Sequence, residues 1–350
     1  GGTGHTGGIL GFGKIDITSA NVDNTTIEST SNTAAGIIAH ALLGSKLDEA
    51  DVSNSIIKGG NQAGGIAGYS ASDITNCNVS KTNISTTSNT GVVGGIVGII
   101  PESSSEIKDC TVSDSSSITG INGYTGWIAG FANNTINNCE ISDSTIKATG
   151  DNAYGLGGIV GHGSNQDATS TYIKKCSVSN CEIAGLDAVG GIAGAAVPFI
   201  EECIVDGEEI ELETTKEVSS TKAVMIENIE LDNNEETEKE NNEEQVDEIQ
   251  EESIETQSQE IVEETEIVEE KQTDEVQEEN QVQILAEGET VNKEYTTKIL
   301  GRKYIGGIIG MGGQLFDTNT YVTITDCILR GIEIDGTEFV EDAIGRTSYY

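Results

Sequence analysis

The chain is short of aromatic residues, of proline and of positive charge. Aromatics make up 4% of its 350 positions and proline occurs twice. With a hydrophobic fraction of 35%, that composition argues against one large layered core. Lys and Arg number 18 against 59 Asp and Glu, a formal charge of −41. Such a charge repels phosphate backbones and anionic membrane surfaces, so nucleic-acid binding is not expected. No apolar run approaches the roughly 18 residues of a spanning helix, so no membrane insertion is expected within this stretch. The chain opens Gly1-Gly2-Thr3-Gly4, with neither Met nor a charged-then-apolar leader. It is expected to be a piece of something longer, and its targeting is not legible.

What the chain does have is divided unevenly. Residues 212–298 hold 29 acidic and 6 basic side chains and a single glycine, Gly288, whereas the rest holds 30 acidic, 12 basic and the other 42 glycines. High charge with little apolar surface cannot offset the entropy of ordering, so this stretch is expected to be a mostly disordered acidic insertion, in which Ala223–Ile226 is the candidate for a short strand.

The glycine-rich part repeats itself. One anchor phrase recurs as Gly7-Gly8-Ile9-Leu10-Gly11, Gly64-Gly65-Ile66-Ala67-Gly68, Gly94-Gly95-Ile96-Val97-Gly98, Gly157-Gly158-Ile159-Val160-Gly161, Gly190-Gly191-Ile192-Ala193-Gly194 and Gly306-Gly307-Ile308-Ile309-Gly310. Degenerate copies begin at Ala35, Gly126 and Glu341. Successive starts lie 28, 29, 30, 32, 31 and 33 residues apart, then 116, then 35. Subtracting one repeat from the long gap leaves about 84 residues, close to the acidic stretch, which therefore interrupts one repeat. A second phrase follows each anchor, with an apolar residue, a small residue three on, an apolar two on, and another about five beyond. It reads Ile74, Cys77, Val79, Ile84 in one copy and Ile200, Cys203, Val205, Ile210 in another, while the two earliest copies place Ala20 and Ala50 in the cysteine position.

Short β-branched segments separated by turn formers do not make helices. One such unit cannot bury its own apolar face, but stacked copies can. The fold expected is all-β, a parallel β-solenoid (β-helix) of about eight coils, right-handed by the crossover rule, with repeats over 1–211, the insertion over 212–298 and a continuation over 299–350. A β-sandwich or propeller fits less well, because blade repeats are longer and carry aromatics.

In rhythm the anchor and the Ile-x-x-Cys-x-Val phrase resemble the GLUG repeat of large bacterial surface proteins, which include adhesins and surface peptidases of the IgA-protease type. The resemblance covers about 1–211 and 299–350, with Ile standing where that family commonly has Leu. It implies an extracellular, cell-surface setting and transfers no catalytic residue.

Candidate sites are few. Cys77, Cys110, Cys139, Cys176, Cys203 and Cys327 share one repeat position and are expected to form a buried structural column rather than a converging metal site, although stacked neighbours come near disulfide distance. Cys181, five residues after Cys176, falls outside that position and is expected to be the exposed or paired thiol. His40 and His162 follow their anchors where other copies have Phe12, Tyr69, Ile99, Phe131, Ala195 or Met311, and are expected at a coil's edge. No His-Glu-x-x-His motif occurs, and no glycine phrase continues as Gly-Lys-Ser/Thr. Asp109, Asp114, Asn137, Asn138 and Asp143 at turns would bind Ca²⁺ weakly at most, and no other cofactor is implied. Asn24, Asn83 and Asn133 fit the Asn-x-Ser/Thr pattern.

The function expected is a non-enzymatic structural or adhesive module whose partners are host or surface glycans or proteins. The rivals are a polysaccharide lyase or hydrolase on a β-helix, and a repeat region flanking a surface peptidase domain. An ice- or mineral-binding Thr face is disfavoured by the drift in repeat length.

Overall fold

The computed structural model describes residues 2–101, 104–164, 171–212, 283–284, 290–311 and 322–346. Gly1–Glu211 and Lys293–Tyr350 form one compact unit and Leu212–Asn292 another. Of 212–298, only Leu212, Gln283–Ile284 and the stretch from Thr290 onward are described, so the expectations for the acidic insertion, including a strand at Ala223–Ile226, lie outside the described residues.

The first unit is a parallel β-solenoid of about eight coils, with no helix among the described residues. Strands of successive coils pair in chain order, so each coil is hydrogen-bonded to the one before and the one after. Two nine-stranded sheets carry the anchor copies, running from Thr6–Gly7 to Glu338–Glu341 and from Leu10–Gly13 to Ile344–Arg346. A third sheet carries the cysteine phrase and a fourth, of eight strands, the apolar residue that closes it.

Side chains stack in columns because the register is strict. Ile74 lies between Leu47 and Ile107, Val79 between Val52 and Val112, and Ile84 between Ile57 and Ile118. All of these are buried, and one continuous apolar core runs along the unit. The two sequence phrases explain each other in space. A Cβ at Gly65 would meet the Val79 methyls, one at Gly158 those of Val178, and one at Gly191 those of Val205. The anchor's second glycine is therefore the place where backbone approaches the valine column. Trp127 occupies that position in one coil, fully buried, and its indole N–H finds no partner among the described residues.

Corners need left-handed backbone, and they take it at fixed positions. Ser19, Glu49, Asn76, Asp109, Asn138, Lys175, Glu202 and Asp326, each just before the alanine or cysteine position, have φ between 51 and 58°. Asn and Asp recur there because their short polar side chains tolerate this region.

Drift in repeat length does not disturb the register. Ser53, Ser80, Ser113, Ser142 and Ser179 occupy one outward row in five successive coils despite unequal spacing. Extra residues go into loops, which lengthen at small entropic cost. Drift is therefore no argument against an ordered outer array, contrary to expectation, although the neighbouring row (Asp51, Asn78, Thr111, Glu140, Ser177) is chemically mixed.

One column assignment also needs correcting. Ile299, not Ile210, follows Ile183 in the fourth sheet and precedes Ile334. The chain leaves its coil before the fourth apolar position is reached. A reciprocal pair of hydrogen bonds closes the gap: Glu208 N–H donates to Thr296 Oγ1 (2.7 Å), and Thr296 N–H to the Glu208 carbonyl (3.0 Å).

Candidate functional site: the thiol, hydroxyl and aromatic columns

Residues flanking Cys77, Cys110, Cys139, Cys176, Cys203 and Cys327 pair in register, so the six thiols follow one another coil by coil, continuing from Ala20 and Ala50. Five are buried and Cys327 is partly exposed. Each thiol donates to the carbonyl two residues before it, for example Cys77 Sγ to Thr75 O at 3.1 Å and Cys203 Sγ to Glu201 O at 3.3 Å. The neighbouring Cys110 thiol and burial both push the Cys77 thiol up, and burial does the same to Cys176. Cys77, Cys110, Cys139 and Cys176, whose thiols are all raised, are therefore poor nucleophiles and act as small apolar filler.

Cys181 is not exposed. It is fully buried in a different column, where burial raises its thiol to about 12. That column lies five residues beyond the first, six at Ser116, and contains Thr25, Ser55, Thr82, Ser116, Ser144 and Cys181, with Thr297 taking the place after the insertion. Its hydroxyls turn the second corner. Ser55 Oγ accepts from Thr25 N–H (3.1 Å), Thr82 Oγ1 from Ser55 N–H (3.4 Å) and Ser116 Oγ from Thr82 N–H (3.2 Å). Ser55 donates to Ser53 O, Thr82 to Ser80 O and Ser144 to Ser142 O, each two residues back, whereas Thr297 donates to Asp206 O. Cys181 substitutes a thiol for a hydroxyl, giving its proton to Ser179 O at 3.0 Å and its backbone N–H to Thr297 Oγ1. Sequence reasoning missed this ladder, although the five-residue offset shared by Thr25, Ser55, Thr82, Ser144 and Cys181 announces it.

A third column holds Ser45, Ser72, Ser105, Asn134 and Thr171 in successive coils. Ser72 Oγ accepts from Ser45 N–H and donates to Leu42 O, and Thr171 Oγ1 donates to Ala132 O. Asn134 sits fully buried among them, with both amide atoms unpartnered among the described residues. Unsatisfied buried polar atoms cost about 1–3 kcal/mol. Asn134→Ser is therefore expected to stabilise the protein by about 1 kcal/mol, as a rise in the midpoint of denaturant unfolding at constant slope.

Outside the core, the turn acids are matched by amides from the next coil. Asn54 Nδ2 donates to Asp23 Oδ1 (2.7 Å), Asn76 to Asp48 (2.9 Å), Asn138 to Asp109 (2.6 Å) and Asn180 to Asp143 (3.3 Å). Hydrogen bonds from Thr75, Asn76 and Lys46 hold Asp48 down to about 2. Along Glu49, Asn76, Asp109 and Asn138 acid alternates with amide, which avoids stacking like charges one rung apart, whereas Glu202 and Asp326 do stack. Among the described residues, no group of three or more His, Cys, Asp or Glu is arranged to hold a metal ion.

The histidines belong to an outward aromatic row. Phe12, His40, Tyr69, Ile99, Phe131, His162, Ala195 and Met311 occupy equivalent positions in eight coils. His40 stacks on Tyr69 at 4.3 Å, with His5 and Phe12 alongside. Desolvation, and then His5, lower the pKa of His40. His162 is buried rather than at an edge, because Tyr124 (4.3 Å) and Phe131 (6.0 Å) cover its ring. Its Nδ1 lies 2.6 Å from Gly163 O, and burial lowers its pKa to about 4. The neutral ring contributes stability that is intact above pH 6.5 and lost as pH falls from 6.5 towards 4, where the unfolded chain binds the extra proton. By pH 5 the loss is expected to be about 2 kcal/mol relative to His162→Phe, read from urea unfolding of both proteins across that range.

A shallow apolar depression of about 360 Å³ lies on the outer surface at the ends of the fourth sheet's later strands, with Ala148, Ala184, Leu186 and Leu300 in its lining. The cations at its rim are engaged: Arg302 makes two hydrogen bonds to Asp187 (3.0 and 2.9 Å), and Lys147 pairs with Glu182 (2.8 Å).

Comparison of the chain with protein-family models, with curated proteins and with solved structures finds no match in any of the three.

Proposed function

We propose that this chain is a non-enzymatic structural and adhesive repeat module of a secreted or cell-surface protein. The observation that carries this reading is the unbroken parallel register, which turns outward side chains into long rows at the strand spacing of about 4.8 Å. Rows of Ser, Asn and Asp on one sheet, and Phe12, His40, Tyr69 and Phe131 on another, suit repeated weak contacts with an extended partner, a surface glycan or a protein. Likeness of the anchor phrase to the GLUG repeat supports the surface setting. The acidic insertion contributes solubility and repulsion from anionic surfaces.

Binding of residues 1–350 to glycan and protein arrays, beside a version lacking 212–298, tests the proposal. Signal that survives the deletion places adhesion on the coils, and signal that disappears places it in the insertion. Turnover of an acidic polysaccharide by the purified protein would overturn the non-enzymatic reading.

A further inference from the structure

The thiol column is not uniform along its length, and its last step differs from the others. Cys77, Cys110, Cys139, Cys176 and Cys203 are at most 1% exposed, whereas Cys327 is partly exposed. Glu201 pairs with Thr325 and Ile204 with Ile328, which sets Cys203 and Cys327 opposite each other on adjacent coils. Adjacent parallel rungs lie about 4.8 Å apart, inside the 4.4–6.8 Å range of Cα separations that a disulfide spans. The Cys327 sulfur already reaches the neighbouring backbone, accepting the Cys203 N–H at 3.4 Å. The two cysteines are 124 positions apart, and the entire insertion lies between them.

We propose that Cys203 and Cys327 form a redox-closed staple that ties the coil interrupted by the insertion to the coil that follows it. The oxidant is a small-molecule disulfide. The Cys327 thiolate attacks it and displaces one small thiol, leaving a mixed disulfide on the solvent side. The Cys203 thiolate then attacks the Cys327 sulfur and displaces the second small thiol. One S–S bond breaks and one forms, the two cysteines lose two electrons to the oxidant, and their two protons leave on the two released thiols. Cys327 must react first, because the other column thiols have no surface to offer. Cys203 resolves it because it is the only thiol one rung away among the described residues.

Closing a loop of this length restricts the unfolded chain strongly. It also ties together two coils that the insertion separates in the chain. The chemistry requires the oxidant alone and does not depend on where the protein resides.

The test is peptide mapping of the full chain under non-reducing conditions after incubation with oxidised glutathione. The expected product is a single Cys203–Cys327 cross-linked peptide, two hydrogens lighter than the reduced pair. Amide exchange over 328–346 is expected to slow about tenfold on oxidation and to recover with reductant. Cys327→Ser is expected to abolish all bridging, and Cys181→Ser to leave it unchanged. Glutathione retained on Cys327 without resolution, a bridge at any other pair, or bridging that persists in Cys327→Ser would overturn the proposal.

Discussion

Gly158→Ala is expected to destabilise its coil by at least about 3 kcal/mol. The added Cβ would lie well inside contact distance of the Gly191 carbonyl oxygen and 2.9 Å from a Val178 methyl. The first neighbour is backbone. Moving it breaks the stacking of the next coil, in which Gly191 N–H donates to Gly306 O. The second is a fully buried core side chain without room to retreat. Because each coil contacts only its neighbours, the damage should be regional. Hydrogen exchange is therefore expected to accelerate over 154–206 while 46–100 stays protected. Trp127 shows that this column accepts a side chain where a whole coil is built around it, and the valine beside Gly158 leaves no such space.

Ile141→Ala is the second large effect expected, a loss of about 3 kcal/mol. Ile141 is fully buried between Val112 and Val178 in the adjacent coils, so truncation leaves a cavity walled by strands on both sides. Those strands cannot collapse into it without breaking their ladder. Ser142→Ala, one residue on and facing outward, is the control and is expected to change stability by less than about 0.5 kcal/mol. Equal losses from the two substitutions would contradict the inward and outward alternation on which the coil rests.

Much of this architecture is legible in the residues, and what is not has identifiable causes. The anchor and the Ile-x-x-Cys-x-Val phrase fix the columns because a strand alternates its faces every residue and a coil must repeat that alternation in register. Ala20 and Ala50 stand in for cysteine because the site asks only for a small apolar group. Cys181 misleads because a thiol there mimics the column residue five positions earlier. Comparing it with Ser55, Thr82 and Ser144 at the same offset would have assigned it to the hydroxyl ladder. Ile210 misleads because its spacing from Val205 is correct while the chain has already left the coil at Glu208. Only the paired strands reveal that Ile299 takes the place. The burial of His162 is not legible at all from its repeat position, because its cover comes partly from Tyr124, which lies just before the strand Thr125–Gly126 of a different sheet.

The handling of polar groups unites these details. At the corners of a narrow coil backbone N–H groups turn inward, as those of Thr25, Ser45, Ser55 and Thr82 do, and an apolar lining alone would leave them unpartnered. Columns of Ser and Thr accept those protons and return their own to nearby carbonyls, so the corners can be buried without loss. Thiols serve where the corner needs volume more than a strong acceptor. The outward amide and acid rows do for charge what the hydroxyl columns do for the backbone, separating carboxylates that would otherwise repel one another along the stack.

The most direct measurement is a count of reactive thiols with a small aromatic disulfide reagent, before and after adding denaturant. Stacked, buried cysteines give at most one fast-reacting thiol in the folded protein, Cys327, and seven once it is unfolded. Rapid reaction of Cys77, Cys110 and Cys139 in the folded protein would place them at the surface and contradict the stacked-column fold.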